Sequence, residues 1–144
     1  MRVVVQRVSQ ASVSVRGALK ARIGKGLVVL VCAMDDEQPD PRRWAERLTR
    51  LRVFPNDAGK MTHNVSEADG GLLLVSQFTL SADMNKGHRP SFGRATPPER
   101  ARLQLEELAE ACRELHPEVH TGSFGEDMAL NLTNDGPVTI FIDR

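Results

Sequence analysis

Eight consecutive apolar residues, LVVLVCAM at 27–34, constrain this chain more than any other feature. A strand with one face in water alternates polar and apolar side chains, whereas an unbroken apolar run needs cover on both faces. A second run, LLLV at 72–75, follows Asp69-Gly70-Gly71. Both stretches therefore belong inside a sheet that has a layer on each side.

Other strand signals surround these two. Residues 3–8, 11–15 and 19–23 are apolar or alternating, and Gly17 and Gly24-Lys25-Gly26 supply short turns between strands read as antiparallel. Residues 53–61 suggest a short strand and a glycine turn, and residues 119–124, 128–133 and 138–142 read as three closing strands. Two helices interrupt them. Asp40 suits an N-cap and Pro41 the first helical position, ahead of Trp44, Leu48 and Leu51 on one stripe. Thr96-Pro97-Pro98-Glu99 predicts a second start with threonine as its cap, and the apolar stripe then runs from Ala101 to Leu115 before Pro117. Two helices against roughly eight strands exclude a doubly wound sheet. The expected fold is a single β-rich α/β domain over residues 1–144, with largely antiparallel sheets in layers and two helices packed on one face (α/β/β).

Charge excludes little. The 19 Lys/Arg balance 19 Asp/Glu, yet residues 1–60 carry 12 basic against 6 acidic side chains and the remainder is acidic. A local phosphate-binding surface is compatible with that split, and so is a solvated face on the arginine-rich helix at 40–52. No apolar stretch approaches the roughly 20 residues of a membrane helix, and Met1 to Gln10 is no signal peptide. Cys32 and Cys112 read as buried thiols in a cytosolic chain. His116 and His120 have the i, i+4 spacing of a metal pair, but Pro117 breaks the helix that would align them. No metal or cofactor is expected.

Chemistry concentrates in three places. At "SQFTLSAD" (76–83) a buried strand ends in Ser76, Gln77 and Thr79 around Phe78, which delivers polar groups to a sheet rim. A plain strand end explains the same residues. No G-x-S-x-G elbow or local histidine supports a triad. "KGHRPSFGRA" (86–95) offers Lys86, Arg89 and Arg94 for phosphates and Phe92 for stacking, or is an ordinary exposed loop. "NDGPVT" (134–139) leads into a strand through Gly136-Pro137, which cannot join a regular ladder. It is either a turn or backbone shaped to present carbonyls.

Together with "MRVVVQRVSQASVSV", "LRVFPNDAGKM" (51–61), "RPSF" (89–92) and "TGSFGEDM" (121–128), these segments resemble the D-aminoacyl-tRNA deacylases in order and over essentially the whole chain. The SQFTL and GPVT pairing, about sixty residues apart, is the specific part. The resemblance implies a cytoplasmic homodimer with active sites at the subunit interface. Such enzymes hydrolyse the ester joining a D-amino acid, or glycine mischarged on tRNA-Ala, to the 3′ terminal adenosine, a proofreading step of translation. Ser76, Gln77, Phe78 and Thr79 match the catalytic motif. Gly136 and Pro137 match a Gly-cisPro motif that enters the partner's pocket and rejects L-residues; Arg7 matches the arginine that holds it, and Phe124 and Met128 match pocket-lining positions. Thr62-His63 and Phe141 depart from the common pattern. Whether Thr79 attacks or a water assisted by the 2′-hydroxyl does so stays open. A non-enzymatic dimeric tRNA/RNA-binding module is the alternative reading, and a homomeric interaction domain a third.

Overall fold

The computed structural model describes residues 1–35, 38–85 and 87–143. Among the described residues the strands are β1 (Arg2–Val15), β2 (Ala18–Ile23), β3 (Gly26–Cys32), β4 (Phe54–Pro55), β5 (Met61–His63), β6 (Gly71–Ser76), β7 (Val119–Thr121) and β8 (Ala129–Asp143). The helices are α1 (Pro41–Thr49) and α2 (Pro98–Leu115), and a single 3-10 turn spans Phe78–Ser81.

β1 is one strand where two were expected. Its residues 2–8 pair with β3 and its residues 11–15 with β2, while β8 runs antiparallel along its other edge. Register shifts around Val8 bend it, so Val3 and Val5 face one core and Ala11 and Val13 the other. The two closing strands expected at 128–133 and 138–142 are likewise one, β8, with residues 135–138 bulging out between its paired halves. β7 stops at Thr121, short of the expected 124.

The six-stranded sheet is mixed: β1 pairs antiparallel with β2, β3 and β8, as the sequence suggests, but two pairings are not antiparallel. β3 pairs with β6, and β6 with β7, in parallel. Parallel neighbours need long crossovers; α1 with the β4–β5 pair supplies the first and α2 the second. This arrangement explains the two unbroken apolar runs. Leu72 and Leu74 of β6 join Val29 of β3 under Trp44, Leu48, Leu108 and Cys112 of the helices. Leu73, Val75 and Val28 point the opposite way, into a second cluster with Val8, Val13 and Ile23. Burying each of the leucines contributes about 2 kcal/mol. Both helices thus cover one face, as expected. The other face is covered by a curl of the same sheet rather than by a second sheet, so the barrel nearly closes.

The curl requires glycine where strands meet. A β-carbon on Gly26 would lie 2.0 Å from the Gly71 carbonyl oxygen, a backbone atom in the paired strand. Gly26→Ala is expected to lower the unfolding free energy by about 3 kcal/mol; the urea midpoint checks this.

Asp40 caps α1 as expected, its Oδ1 accepting from the amides of Arg42 at 3.0 Å and Arg43 at 3.2 Å. Thr96 does not cap α2: the cap is Pro97, with no side-chain bond. The Thr96 N–H donates to Ala33 O at 3.0 Å beside the Met34–Ala95 bridge, which ties the threonine to the end of β3. The helix therefore starts one residue later than its sequence signature suggests.

Candidate active site

β6 is buried up to Val75, and the chain becomes half-buried at Ser76 and Gln77. The Gln77 N–H still donates to Val31 O at 2.8 Å, after which the backbone winds into the 3-10 turn. The first turn-forming amide is that of Leu80, donating to Gln77 O at 3.1 Å. The Phe78 and Thr79 N–H groups precede it and have no acceptor within the turn. Donors gather on the carbonyl side: Ser81 Oγ reaches Phe78 O at 2.8 Å, Cys32 Sγ the same oxygen at 3.5 Å, and Arg2 Nη1 reaches Leu80 O at 3.0 Å. Gln77 Nε2 donates to Thr79 Oγ1 at 2.5 Å.

Beside this turn lies a cavity of about 470 Å³, walled by Met1, Phe78, Phe92, Leu105 and Phe124, with Ser76 and Gln77 at its rim. The Phe78 and Phe92 rings meet edge to face with centroids 5.1 Å apart. Phe78 is nonetheless 59% exposed, so its ring also faces outward. Among the described lining residues none is His, Asp, Glu, Lys or Arg. Cys32, at the wall, is no thiolate nucleophile: burial pushes its pKa up from the ordinary thiol value, outweighing its bond with Ser81 and the nearby charge of Arg2. A larger groove of about 620 Å³, bordered by Gln10, Ser12, Arg22 and Asn131, lies over the curled part of the sheet and holds none of the residues singled out from sequence.

The Gly136-Pro137 bond is cis, and both residues are exposed on the β8 bulge. Arg7, almost fully buried, spans the base of the bulge: Nε donates to Asp135 O at 2.9 Å and lies 3.3 Å from the Asp135 carboxylate, while Nη1 donates to Val53 O at 2.6 Å. Asn134 closes the loop from its other end, Oδ1 accepting from Val138 N at 2.7 Å and Nδ2 donating to Val138 O at 3.1 Å. Sequence reasoning missed Asn134, whose partners lie four residues away across the bulge.

The structure thus gathers the sequence candidates into two groups. Ser76, Gln77, Phe78 and Phe124 stand at the cavity, with Thr79 next to them in the turn and bonded to Gln77; Arg7, Gly136 and Pro137 stand at the bulge. The rung from Ser76 runs through Val31 to Val3, whereas Arg7 pairs with Leu27 four residues along β1. Three strand spacings and four residues separate the groups, on the order of 15–20 Å. Met128 is not among the cavity's lining residues; it packs beside Gly122 and takes the Ser123 N–H on its sulfur at 3.3 Å. Arg89 and Arg94 are exposed on the loop joined by the Asp83–Ser91 bridge, and Lys86 lies outside the described residues. No group of metal-ligating side chains occurs among the described residues, and no helix there is long and apolar enough to cross a membrane.

Comparison with known proteins adds a consistent set of relatives. A family model described as D-Tyr-tRNA(Tyr) deacylase matches residues 4–143. A D-aminoacyl-tRNA deacylase of Paracoccus denitrificans is 49% identical over 144 residues, covering 99% of this chain and 97% of that protein. One from Methylibium petroleiphilum is 53% identical over 137 residues, covering 94% and 90%. Among solved structures, a c-Myc DNA unwinding element binding protein superposes with a TM-score of 0.94 at 34% identity, covering 100% of this chain and 99% of that one. A probable eukaryotic D-amino acid tRNA deacylase, at 17% identity and a TM-score of 0.87 over 99% and 98% of the two chains, shares the fold.

Proposed function

Since this chain belongs to the D-Tyr-tRNA(Tyr) deacylase family and is a hydrolase acting on D-aminoacyl-tRNA, we propose that two copies share each active site, the cavity of one receiving the Gly136-Pro137 loop of the other. The observation that carries this reading is the separation of the two residue groups. A chain cannot bring its own exposed loop to its own cavity across three strand spacings of its sheet. The surface between them suits a second copy: Phe141 is 58% exposed, opposite Val4, on a face the curl leaves open.

In this site the aromatic cavity takes the 3′ terminal adenosine, whose base finds Phe92 and Phe124 as stacking partners. The ester then lies at the Phe78–Thr79 backbone. An aminoacyl ester is already activated, so its hydrolysis needs stabilisation of the tetrahedral oxyanion more than a strong nucleophile. The Phe78 and Thr79 N–H groups, lacking acceptors within the turn, supply that stabilisation. The cavity offers no side-chain base to Thr79 Oγ1, which favours a water oriented by the ribose 2′-hydroxyl over a covalent intermediate. Arg89 and Arg94 line the approach for the tRNA backbone.

Selectivity comes from shape. The Gly136 and Pro137 carbonyls accept from the α-ammonium and leave room beside the α-carbon for hydrogen alone. An L-residue would drive its side chain into them. A D-residue directs its side chain away, and glycine has none, so glycine mischarged on tRNA-Ala is a second substrate. The testing experiment incubates the chain with D-Tyr-tRNA and L-Tyr-tRNA. Rapid loss of the D-ester alone is expected; equal, spontaneous loss of both would leave the family's activity unexpressed in this chain and remove the proposal.

A further inference from the structure

We infer that Ser81 is a positioning residue for deacylation, acting through the Phe78–Thr79 peptide unit with Cys32 as a second, weaker donor. The inference rests on the reading above, in which the Thr79 N–H faces the oxyanion. Ser81 is fully buried, and its hydroxyl donates to Phe78 O at 2.8 Å. Cys32 Sγ approaches the same oxygen from β3 at 3.5 Å. Two side chains from separate elements therefore converge on one carbonyl.

That carbonyl shares its peptide plane with the Thr79 N–H. Because the peptide is planar and trans, aiming the C=O toward Ser81 and Cys32 aims the N–H the opposite way. Hydrogen bonds donated to a carbonyl also draw electron density from the amide and make its N–H a stronger donor. Packing alone does not call for the hydroxyl, since alanine fills nearly the same volume. The Cys32 thiol, kept protonated by burial, has one hydrogen, which Phe78 O shares with Ala33 O at 3.4 Å, so Ser81 is the principal donor. Arg2 Nη1 on Leu80 O, at 3.0 Å, anchors the far end of the same turn.

The test compares Ser81→Ala, Ser81→Cys and a chain carrying an ester in place of the Thr79 N–H, all on D-Tyr-tRNA. Ser81→Ala is expected to slow single-turnover deacylation about tenfold, with KM changed by less than about twofold and preference for the D-ester intact. Its Thr79 amide 15N resonance should shift, and Ser81→Cys, a weaker donor, should fall between it and the parent. The ester chain should lose roughly a hundredfold, and adding Ser81→Ala to it should cost little more. A slow ester chain beside a Ser81→Ala chain of parental rate overturns the role of Ser81 and leaves the oxyanion reading standing. An ester chain of parental rate overturns both. If Ser81→Ala lowers thermal stability and raises KM without slowing the single turnover, its role is structural and the inference fails.

Discussion

Gly136→Ala is expected to reduce deacylation of D-Tyr-tRNA by at least about a hundredfold while the chain remains folded. Gly136 has φ +143°, a region L-residues rarely adopt. An added β-carbon would lie 2.7 Å from Val138 Cγ2 and 2.9 Å from the Val138 backbone nitrogen. That nitrogen cannot easily yield, because Asn134 Oδ1 holds it at 2.7 Å. Arg7 stands on the other side, with Nη2 3.2 Å from the new carbon, and is itself tied to Asp135 and Val53. The bulge must therefore move as a whole and carry its two carbonyls with it. A displacement near 1 Å is enough for a loss of that size in a site that works by positioning. Stability should fall by only about 1–3 kcal/mol, because the bulge projects from the sheet and both halves of β8 remain paired. Gly17→Ala provides the control: it also has positive φ, but a β-carbon there meets nothing within 4 Å. It should leave the deacylation rate unchanged.

Much of the fold was legible because its strongest signals are local. The unbroken runs at 27–34 and 72–75 require cover on both sides, and both strands are covered on both sides. Asp40-Pro41 announces α1 through chemistry confined to one turn. Long-range matters were not legible. Nothing in Leu72 to Val75 says that the neighbouring strands run parallel, and the bend at Val8 that keeps β1 a single strand depends on β8. Thr96 carries a good capping signature, yet its backbone is committed to Ala33.

The site followed the same division. The change of character at Ser76 marks a strand end, and the cavity lies there. The segments from 76 and from 134 pointed to their family as patterns, while the cis bond at Gly136-Pro137 could not be read from two residues. The donors that converge on Phe78 O gave no sequence signal. Ser81 and Cys32 lie 49 positions apart and meet only at one carbonyl oxygen. Read singly, Cys32 was a buried thiol, which it is.

The proposal that two copies share each site is open to direct measurement by complementation. Gly136→Ala removes the loop's contribution, and Phe78→Pro removes one backbone donor together with its ring. Proline fits the first residue of a helical turn, so this change targets chemistry more than folding. Each variant alone should be inactive. Mixed in equal amounts under subunit exchange, half of the dimers pair one chain of each kind. In those, the Gly136→Ala chain contributes an intact cavity and the Phe78→Pro chain an intact loop. One site of the two is then whole, so activity should return to about a quarter of the parental value. Recovery at that level, specific for D-Tyr-tRNA, is the expected result. Formation of the mixed dimer with no activity above that of the separate variants would contradict a site shared between chains.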